Sequence, residues 1–227
     1  FDGKIQFDME ERKRVNAFDW DVEFPEIFKK GGFDCVIGNP PYFNISTVDK
    51  STYKYLEKNY KEIHTGHNDI MYYFIHKGIS LLKDKGLFGQ ITSNYYIGNK
   101  YAKPLRLFLK KHITKLLNFK EELLFENVSV HTSILISEKD STSRKIPFFE
   151  LQKDTTINRA KLEQSLKSTT LNRNDLGDDW VIAEGKDKSV IDKLETHCHL
   201  GDISIIEKGS TSGKNSVFTI SEEIVKN

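Results

Sequence analysis

The chain has 227 residues with 34 Lys+Arg against 33 Asp+Glu, a net charge of +1 and 37% hydrophobic residues, an ordinary globular composition with length for one domain or one and a half. No apolar run reaches the roughly 18 residues that span a bilayer and no signal-peptide pattern opens the chain, so the expectation is a cytoplasmic protein without a membrane partner. Near-zero net charge excludes a strongly basic tail as the main route to nucleic acid, and two cysteines, Cys35 and Cys198, lack the paired spacing of a zinc site.

The first thirty residues are dense in charge and aromatics and end in the turn signal Lys29-Lys30-Gly31-Gly32. Phe33–Gly38 is a short apolar run between glycines, which predicts a parallel strand buried on both faces, with Cys35 in it as a small hydrophobe. Asn39-Pro40-Pro41-Tyr42 follows. Its two prolines remove two backbone donors and forbid further ladder pairing, so the segment is a loop at the carboxyl end of a strand.

Residues 69–83 read as a helix capped by Asp69, with Ile70, Phe74, Ile75, Ile79 and Leu82 near one face. Residues 87–92 are a strand candidate, and Leu105, Phe108, Leu109 and Ile113 give an amphipathic helix beginning near Pro104. Strands are predicted over 116–119 and 133–137, with Phe125-Glu126-Asn127 on the connection between them. Alternating strands and helices imply a sheet covered on both faces, an α/β layer fold.

Past Glu138 the composition turns polar. Residues 140–199 read as a connecting arm with a short helix over 188–196, and residues 200–206 look like the first strand of a further domain. His64, His67, His197 and His199 lack carboxylate or cysteine partners at metal-ligand spacing and read as solvated loop residues, so no metal site is expected. Gly209 to Lys214 is one residue short of a phosphate loop, and Asn215 stands where Ser or Thr is needed. Lys100, Lys103, Arg106, Lys110, Lys111 and Lys115 partly share a helix face, with phosphate contact and a solvated face equally open.

The chain has only five prolines, and two of them stand together between an amide and an aromatic at a strand end, where open α/β sheets bind their ligands. Asn39-Pro40-Pro41-Tyr42, after Gly32-Phe33-Asp34-Cys35-Val36-Ile37-Gly38, resembles the catalytic loop of the adenine-specific amino-group DNA methyltransferases. The stretch from Phe18-Asp19-Trp20 through Phe24-Pro25-Glu26-Ile27-Phe28 to Tyr42 is similar to the methyltransferase part of type IIG restriction-modification enzymes. Asn68-Asp69-Ile70, Gly86-Leu87-Phe88-Gly89-Gln90-Ile91-Thr92-Ser93-Asn94 and Leu124-Phe125-Glu126-Asn127 before Val130-His131-Thr132 follow that family's order. Leu200-Gly201-Asp202-Ile203 with Lys208-Gly209-Ser210-Thr211-Ser212-Gly213-Lys214-Asn215 resembles the opening of its target-recognition domain.

The resemblance implies an incomplete three-layer Rossmann-like S-adenosylmethionine methyltransferase sheet over 1–139, the arm over 140–199 and the start of a target-recognition domain over 200–227. It implies S-adenosylmethionine as cofactor, with the glycine-rich cofactor turn expected upstream of Phe1, and double-stranded DNA as partner. The implied activity is methyl transfer to the exocyclic amine of a flipped adenine in a restriction-modification system. That amine is a poor nucleophile, because its lone pair is delocalised into the ring, and it gains positive charge as the methyl arrives. The Asn39 side-chain oxygen and the Pro40 carbonyl, held by the stiff Pro40-Pro41 backbone, can accept its two N–H bonds and stabilise that charge. The Tyr42 ring supplies a stack for the extruded base and is expected to matter more than its hydroxyl, and the family pattern assigns a second stack to Phe125. Two other readings remain open: a fragment that grips DNA without catalysis, and methylation of a protein glutamine or an RNA base.

Overall fold

The computed structural model describes residues 18–120, 122, 124, 130–151, 158–178 and 180, and farther on only 190, 193, 194, 196–198, 203 and 204. The chain divides into two units, residues 1–182 and 183–227. In the first, Asp19 caps the helix α1 (Trp20–Glu23) by accepting from the Asp21 and Val22 amides, and Pro25 opens α2 (Pro25–Phe28). Trp20, Phe24 and Phe28 meet the ring of Phe33 edge-on at centroid distances of 5.4–5.7 Å, so the aromatic leader packs over the first residue of β1 (Phe33–Gly38). Gly31 and Gly32 make the entry turn with φ of 95° and 124°, and a Cβ on Gly32 would lie 2.5 Å from the Leu81 carbonyl oxygen. Only glycine fits there.

Next come α3 (Lys50–Asn59), α4 (Met71–Ser80), β2 (Leu82–Ser93), α5 (Tyr95–Gly98), α6 (Lys103–Lys110), β3 (Ile113–Asn118), β4 (Thr132–Glu138), β5 (Lys145–Glu150), α7 (Arg159–Ser168) and β6 (Thr170–Asn172). The strands form one sheet in the order β1-β2-β4-β3-β5-β6. β1 runs parallel to β2 and β3 parallel to β5, while β4 is antiparallel to both β2 and β3, and β6 to β5. Consequently β1, β2, β3 and β5 end on the same edge. The larger core cluster joins α4 and α6 to the sheet through Ile75, Ile79, Leu105, Leu109, Phe88, Leu116 and Phe148. A smaller one sets Leu162 and Leu166 of α7 against Leu117, Phe119, Phe149 and Leu151. The α/β layer fold follows as expected.

Several expectations need correction. The helices read over 69–83 and as far as Ile113 stop at Ser80 and Lys110, and Leu82 and Ile113 open β2 and β3 instead. β1 is an edge strand paired only with β2 among the described residues, and Cys35 and Ile37 are exposed, Ile37 to 85%. An apolar run signals a strand without saying how many of its faces are covered. On α4, Phe74 is 46% exposed while Tyr72 and Tyr73 turn inward. The boundary at 139 also fails, because residues 145–150 and 170–172 extend the sheet as β5 and β6, and Leu176 and Trp180 are buried in the larger core. Six strand residues carrying Ile146, Phe148 and Phe149 are hidden when composition is averaged over a long polar stretch. Arg173 fastens this extension by donating to the carbonyls of Ser143 and Ile113 at 2.6 Å each, and to that of Lys110.

In the second unit Val190, Lys193 and Leu194 are helical, as the short helix over 188–196 required. Of the strand expected over 200–206 only Ile203 and Ser204 are described, and they are helical and a bend rather than extended; the segment Gly209 to Asn215 lies outside the described residues. No helix among the described residues is long and apolar enough to cross a membrane.

Candidate functional site

The Asn39–Tyr42 loop stands at the carboxyl end of β1, beside the end of β2 and on the same edge of the sheet as the ends of β3 and β5. Pro40 is buried and Asn39 and Pro41 are exposed, so the ring of Pro40 anchors a loop whose amide side chain stays open to solvent. No donor among the described residues reaches the Pro40 carbonyl. Both acceptors that the sequence singled out therefore stand at the carboxyl edge of the sheet.

Beyond the loop the chain is clipped to the segment ahead of α4. The Ile70 amide donates to the Phe43 carbonyl at 2.8 Å, and the Ile45 amide to the Asn68 carbonyl at 3.0 Å. Asn68 is fully buried; its Nδ2 donates to the Ile63 carbonyl at 2.8 Å and the Thr65 hydroxyl donates to its Oδ1. Asp69 accepts from the Met71 amide at 3.0 Å, but it stands one residue ahead of the cap position, which Ile70 occupies without a side-chain cap bond. Burial raises its carboxyl above the ordinary value, partly offset by hydrogen bonds from the amides of Met71 and Phe43.

Tyr42 is half-buried against the larger core. Its phenol oxygen lies 2.5 Å from Asn39 Oδ1 and 2.9 Å from the Ile91 carbonyl oxygen of β2. Desolvation raises the phenol pKa, with a further contribution from the Asp69 charge, so the hydroxyl keeps its proton at neutral pH. Sequence reasoning valued the ring and missed the hydroxyl, because its partner on β2 is a backbone carbonyl, which no residue type announces.

A polar network also escaped the sequence. Asn94 Nδ2, just past β2, donates to Asn118 Oδ1 at 3.0 Å and to the Lys120 carbonyl at 3.1 Å. Asn118 Nδ2 donates to Glu150, whose carboxylate pairs with Lys120 at 2.8 Å. These bonds tie the ends of β2, β3 and β5 together beside a cleft lined by Asn94, Tyr95, Ile97, Gly98, Asn99 and Asn118. The available signal was two asparagines, Asn94 and Asn118, standing where β2 and β3 end. Tyr95 is 51% exposed, and Tyr101 carries His67 against its ring at 4.4 Å and Lys100 Nζ at 4.9 Å.

The basic positions do not form one patch. Arg106 is fully buried and donates to the carbonyls of Tyr96, Asn99 and Asp178 at 2.7–2.9 Å. Lys103 pairs with Asp178 and Lys111 with Glu62. Phe125 lies outside the described residues, as does most of 200–227. No group of His, Cys, Asp and Glu able to hold a metal occurs among the described residues.

Among solved structures, the type IIG restriction endonuclease BpuSI superimposes with a TM-score of 0.52 at 18% identity, covering 75% of this chain and 24% of that one. This likeness concerns the fold alone. The type II restriction enzyme and methyltransferase RM.Eco57I of Escherichia coli is 30% identical over 125 residues, 53% of this chain and 12% of its own length. The type II methyltransferase M.HindII of Haemophilus influenzae is 26% identical over 217 residues, 86% of this chain and 42% of its own length. The chain thus spans less than half the length of either relative. The sequence profile described as Eco57I restriction-modification methylase matches residues 2–125, more than half of the chain and the whole of the Asn39–Tyr42 site. The chain belongs to the Eco57I restriction-modification methylase family.

Proposed function

We propose that this chain carries the substrate side of a DNA adenine-N6 methyltransferase of a restriction-modification system. One observation carries the reading: two neutral acceptors, the exposed Asn39 amide and the Pro40 carbonyl, which no donor among the described residues reaches, stand together at the carboxyl end of β1 on a loop anchored at both ends. S-adenosylmethionine, which membership of a methylase family supports, supplies an electrophilic methyl on a sulfonium when bound. Neutral oxygens suit that neighbour, since they neither capture the methyl as an amine or thiolate would nor add a charge of their own.

Accepting both N–H bonds of the exocyclic amine holds its nitrogen in place, draws the lone pair out of conjugation and stabilises the positive charge that grows during transfer. The extra proton leaves afterwards, so no strong base is needed beforehand. Extruding the base costs a few kcal/mol. The Tyr42 ring, half-buried against the core, returns about 1–3 kcal/mol by stacking. Phe125 is proposed as the second stacking ring and residues 200–227 as part of the sequence-reading surface on duplex DNA. Asn39, Pro40, Pro41 and Tyr42 are the proposed catalytic loop, with the two prolines fixing its backbone.

The test is product identity. The full protein is incubated with S-adenosylmethionine labelled in the methyl group and unmethylated genomic DNA, which is then digested to nucleosides for mass spectrometry. Labelled N6-methyldeoxyadenosine is expected. Labelled N4-methyldeoxycytidine would overturn the choice of base, and label in protein or RNA alone would overturn the DNA substrate.

A further inference from the structure

We propose that the Tyr42 hydroxyl is a positioning group that decides which end of the Asn39 amide faces the substrate amine. This rests on the methyl-transfer reading and adds to it a role for an atom that stacking does not use. A phenol has one proton to donate and can accept on its oxygen. Among the described residues its oxygen has two hydrogen-bonding neighbours, the end of the Asn39 amide placed as Oδ1 at 2.5 Å and the Ile91 carbonyl at 2.9 Å. The carbonyl can only accept, so it takes the proton. Whatever Asn39 presents to the phenol must then donate.

The two ends of an asparagine amide exchange by a half-turn about one bond and are told apart by their hydrogen bonds alone. With an oxygen toward Tyr42, two acceptors compete for one proton. With Nδ2 there, the chain Asn39 N–H to Tyr42 oxygen, Tyr42 O–H to Ile91 carbonyl satisfies every atom. Oδ1 is then the end left for the substrate. Donation from Nδ2 also polarises the amide, placing more negative charge on Oδ1, where it offsets the charge growing on the amine.

The sequence explains why the phenol can occupy this place. The β1–β2 ladder ends at the pair Gly38 and Gln90, and Pro40 and Pro41 bring no N–H to continue it. The phenol O–H reaches the next carbonyl of β2, that of Ile91. It thereby couples the loop to the sheet at the point where the backbone cannot.

Turnover and base extrusion are measured in the full protein, the latter with 2-aminopurine at the target position, for wild type, Tyr42→Phe, Asn39→Asp and the double variant. Tyr42→Phe is expected to lower kcat about 3- to 10-fold, the worth of one hydrogen bond, with KM for DNA and extrusion unchanged. In Asn39→Asp both ends of the side chain are oxygens, so nothing remains to orient. There the same substitution should change kcat by no more than about twofold. An equal cost in both backgrounds would overturn the proposal, since the hydroxyl would then merely brace the loop against Ile91. So would unchanged kcat in Tyr42→Phe. If Asn39→Asp alone shows no turnover, the single variant decides: a fall in kcat with normal extrusion supports the role and a fall accompanied by lost extrusion overturns it. Wild-type protein that methylates no DNA amine would overturn the methyl-transfer reading and this proposal with it, whereas active wild type with equal costs overturns the proposal alone.

Discussion

A Cβ placed on Gly78 would lie 2.5 Å from Cε2 and 3.1 Å from Cδ2 of Phe88. This contact seats α4 on β2, and through α4 it fixes Asp69, Ile70 and the clip that holds the Asn39–Tyr42 loop. Gly78→Ala gains about 1 kcal/mol in helix propensity. Phe88 is fully buried and cannot swing aside freely, and overpacking of this kind costs roughly 1–3 kcal/mol. Net destabilisation of about 1 kcal/mol is expected, read as a lower urea midpoint at constant m.

Arg106 makes a second demand on the same edge. Its guanidinium serves the carbonyls of Tyr96, Asn99 and Asp178, two of them on the segment that lines the cleft beside the loop. Arg106→Met fills similar volume but leaves these acceptors without their charged donor. A loss of roughly 3 kcal/mol or more is expected, each such bond being worth about 1.5–3 kcal/mol. Arg106→Lys should recover little of it, because an ammonium lacks the planar fork that reaches three carbonyls at once. Thermal unfolding of both variants checks this, and equal stability to wild type would show the guanidinium to be dispensable.

The same arginine shows what a sequence reveals. On a helical wheel Arg106 falls among lysines, and nothing in its type distinguishes a phosphate contact from a buried clamp. Its burial depends on Asp178, 72 residues away. By contrast β1 and the start of α6 near Pro104 were legible, since each is marked by local chemistry, an apolar run between glycines and a proline at the first turn, and the start of α4 was legible to within a residue, Ile70 rather than Asp69 standing at the cap position. The loop at Asn39 was legible for the same reason, its prolines ending the ladder where they stand. The tie from Tyr42 to Ile91 was not, for it joins a side chain to a backbone carbonyl 49 residues on. β5 escaped because its pairing with β3, rather than its surroundings in the chain, makes it a strand.

His112 gives the unit an acid-sensitive element. It is 6% exposed, and its pKa is lowered first by burial, against the opposing pull of Asp140. Its Nδ1 accepts from the Asp140 amide at 3.0 Å, a bond the protonated ring cannot make. The folded pKa therefore lies below the unfolded value near 6.5. Above that pH the ring is neutral in both states and stability is unaffected; as pH falls below it, the unfolded state takes the proton first and stability declines toward the folded pKa. Urea midpoints at pH 7.5 and 5.5 should differ, and His112→Gln, which keeps an acceptor for the amide, should reduce the difference. A remainder is expected from His64, also lowered by burial. An undiminished difference in the variant would clear His112 of this role.

Asn39→Ala tests the proposed chemistry most directly. The side chain is exposed, so its loss opens no core cavity, and Pro40, Pro41 and the Ile91 tie of Tyr42 still hold the loop. What disappears is one acceptor facing the amine, together with the polarisation it receives from the phenol. Such a preorganised group stabilises charge that exists only in the transition state, so its removal should appear in kcat and leave ground-state binding nearly untouched. A fall of ~100–1000-fold in kcat is expected, with DNA affinity and 2-aminopurine extrusion close to wild type and the urea midpoint unchanged. The Pro40 carbonyl, which no side-chain substitution removes, would account for residual turnover. A variant that lost DNA affinity while retaining kcat would instead make Asn39 a binding residue and move the charge-stabilising role elsewhere on the carboxyl edge.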